Sequence, residues 1–377
     1  MRFTFAAGLL VCGAALLYAK SVANFRNSLR RGIGGRIPAH GEYEYVVLLK
    51  VISNLQQLGT ETKKIVSGIC TGSLIYFDTI LTSAHCLLNL EIDGSTMTLD
   101  EAFLVQVELR PKKNLPSSEE QSTDTQIFFV TFQSQIEYIL QQQLDHPTYF
   151  ADPIIHEDWK RCIEKLANSQ EDCRFSAPDV ALIKITDPNY DQSLTDDYTT
   201  LCVSGLDNGP GCPKDPLSLN YTHVVLKAAG YGVQEPEDTD PESVKSKGYK
   251  FAESPMDLME TTYKESESQS VYNDITFHAH YCTNSSVTVG DSGGPLMRAD
   301  ASGKLYQIGI NKAGLQQVHT DEDDPESVPH FLGRRPSCPF RNEFCFVSFL
   351  RTTAVADWIR QEVAKYDSLA GRKSLEE

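Results

Sequence analysis

The chain has 377 residues, with 34 Lys and Arg against 51 Asp and Glu, a formal charge of −17. With 41% hydrophobic and 23% charged residues it reads as a globular protein, long enough to bury a sizeable core in one large or two ordinary domains. The acidic balance excludes a basic nucleic-acid binder, since phosphate contacts need concentrated Lys and Arg, and no run after the leader is apolar for long enough to span a membrane.

The N-terminus reads as a set of targeting labels. Arg2 opens a short positive region, and Phe5 to Ala19 is an apolar stretch too short for a membrane span and suited to a signal peptide. Small residues at Ala19, Ser21 and Ala23 offer cleavage sites, and we place the signal peptide at residues 1–23. Residues 24–31 follow as a basic propeptide ending in Arg30-Arg31, a dibasic processing site. The leader holds Arg2, Lys20, Arg26, Arg30 and Arg31 and no acid, so an acidic secreted body is expected to be released from a basic zymogen segment.

Cysteine usage agrees with secretion. Cys12 leaves with the leader and nine cysteines remain, most of which should pair in an oxidising compartment. Cys70 and Cys86 bracket one segment, Cys162/Cys173, Cys202/Cys212 and Cys338/Cys345 are three close pairs, and Cys282 is odd. Cys282 stays open between Cys338, Cys345 and a free thiol. Sequons at Asn220 and Asn284 add glycosylation signals.

Short runs rich in β-branched and aromatic residues at 45–51, 103–109, 126–132 and 223–228, separated by turn residues, predict an all-β body. Near the end Val355, Trp358, Ile359, Val363 and Tyr366 recur at helical spacing, predicting a helix with one apolar stripe. Three further segments carry chemistry. Leu81-Thr-Ser-Ala-His85-Cys86 sets a histidine at the end of an apolar strand. Asp179-Val-Ala-Leu-Ile-Lys-Ile185 opens a buried-looking strand on an aspartate, and Gly290-Asp-Ser292-Gly-Gly-Pro295 embeds a serine in glycines. Nucleophilic catalysis needs a hydroxyl, a base to take its proton and an acid to orient the base, and glycines let backbone N–H groups approach an oxyanion.

On these residues the chain resembles the trypsin/chymotrypsin-type serine proteases. Thr82 to Cys86 and Gly290 to Pro295 match the family's His and Ser motifs letter for letter, and Asp179 to Ile185 is similar to its Asp motif. Ala229-Gly-Tyr-Gly232 and Asp357-Trp-Ile359 resemble a second-barrel turn and the terminal helix. The resemblance implies two six-stranded antiparallel β-barrels, one at 32–203 with long insertions and one at 204–352, then a helix and tail at 353–377. It implies a Cys70–Cys86 disulfide, Ser292 as nucleophile, His85 as general base and acid, and Asp179 as its orienting carboxylate. The Gly290 and Ser292 N–H groups become the oxyanion hole, and Asp291 the partner of a new N-terminal ammonium. No cofactor and no metal are expected. The partners implied are a peptide or protein substrate, an activating trypsin-like protease and macromolecular inhibitors, with no nucleic acid and, once the signal is removed, no membrane.

The chain also departs from the family pattern. Cleavage after Arg31 exposes Gly32 rather than a branched apolar residue, while the rival cut before Ile37 leaves a shorter arm. Ser286 falls at the pocket floor, a neutral residue suiting non-basic, chymotrypsin-like substrates. Lys312, Ala313 and Gly314 stand where the family has a serine-tryptophan-glycine wall, with Lys312 placing a charge near Asp179. His85 and Asp179 are 94 residues apart, a separation filled by insertions. The acidic run Asp321 to Asp324 and the pair His278/His280 lack a metal-site signature. A catalytically weak homologue acting as a binding module is the alternative function. An esterase elbow fits the Gly-x-Ser-x-Gly letters but not the order His, Asp, Ser.

Overall fold

A computed structural model describes residues 38, 42–52, 54–58, 61–65, 68–93, 96–101, 104–109, 126–132, 146–168, 173, 176–190, 200–206, 212, 225–232, 259–264, 276–280, 290–300, 302–319 and 343–369. Eighteen strands, one short 3-10 turn and two α-helices are defined among them.

The first half closes into a barrel of seven strands. In barrel order they are β1 (Val46–Ile52), β4 (Gly68–Tyr76), β5 (Thr79–Thr82), β11 (Ala181–Ile185), β10 (Thr148–Ile155), β9 (Gln126–Phe132) and β8 (Leu104–Leu109), with β8 returning to β1. Val47, Leu49, Val105, Val107, Val130 and Ile183 fill it, because alternate residues of each strand point to one face. Neighbours pair antiparallel except β9 and β10, which run parallel with Thr148 opposite Phe129. Two small hairpins, β2–β3 (Asn54–Leu58, Glu61–Ile65) and β6–β7 (Leu88–Asp93, Thr96–Glu101), stand outside the circuit.

The second half is a seven-stranded sheet. It runs β14 (Met259–Lys264), β13 (Val225–Gly230), β16 (Pro295–Ala299), β17 (Leu305–His319), β18 (Glu343–Arg351) and β15 (Thr276–His280), with β12 (Cys202–Val203) laid parallel on β17. Of the expected pair of six-stranded barrels, one closed barrel is present, with seven strands rather than six, and the second half forms a sheet among the described residues. The extra barrel strand comes from the insertion between His85 and Asp179, whose connection is long enough to bring β10 back parallel to β9.

The predicted strand at 126–132 coincides with β9, and the other three predicted strands shift by one or two residues. The terminal helix is α2 (Thr352–Leu369). Its Val355, Ile359 and Val363 pack with Ile75, Leu81 and Leu182 of the barrel and Ile310 and Leu350 of the sheet, so one apolar stripe seals both halves. Within the same insertion lies α1 (Glu157–Asn168), tied by Cys162–Cys173. Cys202–Cys212 is a further bridge. Cys282 and Cys338 lie outside the described residues. Among those described, no helix is long and apolar enough to cross a membrane.

Candidate active site

Strand pairing brings His85 and Asp179 together. Antiparallel pairing sets Ala181, at the start of β11, opposite Thr82, at the end of β5. The residues just outside that pair are the Ala84–Cys86 turn and Asp179. Asp179 is 1% exposed. Its Oδ1 accepts the His85 backbone N–H at 2.9 Å and its Oδ2 lies 2.7 Å from His85 Nδ1. This double grip fixes both the ring and the chain that carries it. With Nδ1 as the donor to the carboxylate, Nε2 is left with its lone pair as a base. The Trp159 ring sits 6.4 Å from the His85 ring, and its indole N–H donates to the Leu88 carbonyl at 3.0 Å.

The Ser292 loop is held against the same end of the barrel. Thr71, beside Cys70 on β4, donates its backbone N–H to the Ser292 carbonyl at 2.8 Å and its hydroxyl to the Gly290 carbonyl at 2.9 Å. The expected Cys70–Cys86 disulfide is present, and Cys86 Sγ lies 3.7 Å from the Ser292 carbonyl oxygen. That bridge thus touches both the histidine turn and the serine loop. Gly290 and Gly293 adopt φ of 99° and 81°, the left-handed region that favours glycine. A Cβ on Gly293 would also stand 2.1 Å from Thr82 Oγ1 and 2.4 Å from the Thr71 carbonyl. The Gly290 and Ser292 N–H groups have no acceptor among the described residues.

Asp291 is buried and accepts the Gly232 N–H at 2.7 Å. A Cβ on Gly230 would meet its Oδ1 at 2.2 Å, so the Ala229–Gly232 turn is cut to fit this carboxylate. Lys312 does not stand open on a wall: its ammonium is buried and donates to the Ala177 carbonyl at 2.9 Å. Burial pushes its pKa down, and the Asp179 charge opposes that shift. Ala313 and Gly314 lie on β17, where the pairing with β18 is irregular between Asn311 and Gln316.

Arg31, Gly32, Ser286, Asn220 and Asn284 lie outside the described residues, as does the acidic run Asp321 to Asp324. His278 and His280 fall on β15, paired with Ser348 and Phe346. Cys70, His85 and Cys86 bring their side chains together, but both sulfurs are spent in the disulfide and offer no metal thiolate. Sequence reasoning missed Trp159 and its helix. The signal was there: Trp159, Cys162, Ile163 and Leu166 recur at helical spacing, and all four are buried.

No family model matches the chain, and no curated protein is similar to it at a significant level. Among solved structures, one described as HL collagenase aligns over 88% of this chain and 98% of its own, with 17% identity and a TM-score of 0.44. At that level the likeness assigns no activity, and the reading below rests on the site.

Proposed function

We propose that the protein is a secreted serine endopeptidase that cleaves peptide bonds through an acyl-enzyme. The observation that carries this reading is the grip of Asp179 on both the backbone and the ring of His85, beside a glycine-bracketed serine. In the proposed cycle Ser292 Oγ attacks the scissile carbonyl while His85 Nε2 takes its proton. Asp179 stabilises the imidazolium, which then protonates the leaving amine, and water repeats the sequence to release the acid. The Gly290 and Ser292 N–H groups bind the oxyanion, an interaction worth about 3–4 kcal/mol per donor.

The finer parts of the proposal rest on sequence. Cleavage after Arg31 frees Gly32, whose ammonium approaches Asp291, and Ser286 sets a non-basic preference. The test is labelling by a serine-reactive fluorophosphonate of secreted protein cut at Arg31, beside a Ser292→Ala control. Labelling that needs both the cut and Ser292 supports the zymogen-derived enzyme. Folded, correctly cut protein that stays unlabelled returns the alternative, a silent homologue acting as a binding module.

A further inference from the structure

The buried lysine at the heart of this site has no part in the cycle just described. Lys312 lies on β17, on the sheet side of the site, yet its side chain ends at the carbonyl of Ala177, two residues before Asp179. It is 7% exposed overall, and nothing about a wall residue facing a substrate calls for a buried ammonium. Both oxygens of Asp179 bond to His85, and the ammonium is anchored two residues upstream of that carboxylate, on Ala177. Charged and titratable groups on the surrounding elements include His85, Asp179, Asp291 before β16, Arg298 on β16 and Arg351 at the end of β18. Burial pushes the Lys312 pKa down, and the Asp179 charge opposes that shift.

We propose that Lys312 is a positioning residue that acts through Asp179, its anchored ammonium offsetting the carboxylate's charge and so opposing the protonation of His85. The proposal rests on the hydrolase reading for its consequence: the base would stay free, and the enzyme would keep working, at lower pH than a site with an uncharged neighbour. Charge at short range in a protein interior is screened far less than in water, which is why one buried ammonium can bias the pair. Its anchor on Ala177 also fixes the chain that delivers Asp179, because Ala177 in turn donates its N–H to the Cys173 carbonyl at 3.0 Å.

The test compares Lys312→Met, Lys312→Gln and Lys312→Arg with the unaltered chain, each cut at Arg31. Glutamine keeps a donor for Ala177 without the charge, so it covers the case in which the methionine variant fails to fold. The pH at which the His85 ring takes up its second proton is read by NMR, and the acid limb of peptide hydrolysis is read as kcat against pH. Met and Gln are expected to bind that proton about 3- to 10-fold more tightly, moving both readouts to higher pH, with Arg close to the unaltered chain. An unchanged ring titration in folded Lys312→Gln overturns the proposal. A shifted titration in protein that the fluorophosphonate does not label keeps the electrostatic role and sinks the protease reading; labelling without a shift does the reverse.

Discussion

Thr71 and Ser292 are 221 positions apart in the chain, and the backbone N–H of one donates to the carbonyl of the other at 2.8 Å. The Thr71 hydroxyl adds two bonds, donating to Gly290 and accepting the Tyr231 N–H at 3.1 Å. One fully buried threonine thus joins the barrel, the serine loop and the turn after β13. Thr71→Val keeps the shape and removes two buried bonds to backbone groups, each loss costing about 1–3 kcal/mol. The expected outcome is a loss of about 2–6 kcal/mol in denaturant melting, with fluorophosphonate labelling slowed at temperatures where the variant stays folded.

Gly293→Ala is expected to be more severe. A side chain there meets Thr82 and the Thr71 carbonyl and must adopt an unfavourable φ. Strain of this kind costs about 1–3 kcal/mol from the backbone alone, before the clash is counted. Secreted yield and thermal melting should both fall, and labelling at Ser292 should drop at least tenfold in whatever folds.

Lys184 and Asp78 form a buried ion pair at 2.9 Å inside the barrel wall. Lys184→Met removes the cation facing a buried carboxylate and is expected to cost about 3–5 kcal/mol, whereas Lys184→Met with Asp78→Leu should recover much of it. Urea melts of the single and double variants measure the difference. A double variant no better than the single would mean that Asp78 matters through other bonds, such as the one from Thr79.

His156 precedes α1, accepts the Asp158 N–H on Nδ1 at 3.2 Å, and lies against Trp358 of α2 with tilted rings whose centres are 5.1 Å apart. Burial pushes its pKa down, against the pull of Asp158, Glu157 and Glu362. A depressed folded pKa means that the unfolded chain binds the proton more readily. The stabilisation is therefore full above about pH 6.5 and is lost as pH falls through the lower folded value. Melting temperature should decline over that window, and His156→Asn, which can still cap the helix, should flatten the decline.

Much of the site was legible because its chemistry demands particular letters. Glycine at 290 and 293 answers to backbone angles and close approaches, and the segment before β11 must begin on an acid to meet His85. The terminal helix was legible from Val355, Ile359 and Val363, a stripe that faces a single core. The seventh barrel strand was not. β10 contains Asp152 and Pro153 and has a mixed pattern of exposure, because it is built into the wall by pairing with β9 and β11 rather than by its own periodicity. Lys312 was legible as a charge near Asp179, but its burial depends on Ala177, a contact across 135 positions that no local pattern announces.

Every strand of the closed barrel lies before residue 186, while Ser292 and the sheet that carries it come later. At about 5–20 residues per second, a ribosome delivers His85 and Asp179 roughly 5–20 s ahead of Ser292. During that interval the growing chain holds the His85–Asp179 pair without the serine loop that Thr71 grips. Its apolar back face, including Leu81 and Leu182, also waits for α2, which is made after the sheet strands. Synthesis order thus leaves that apolar face uncovered until the helix that seals both halves has been made.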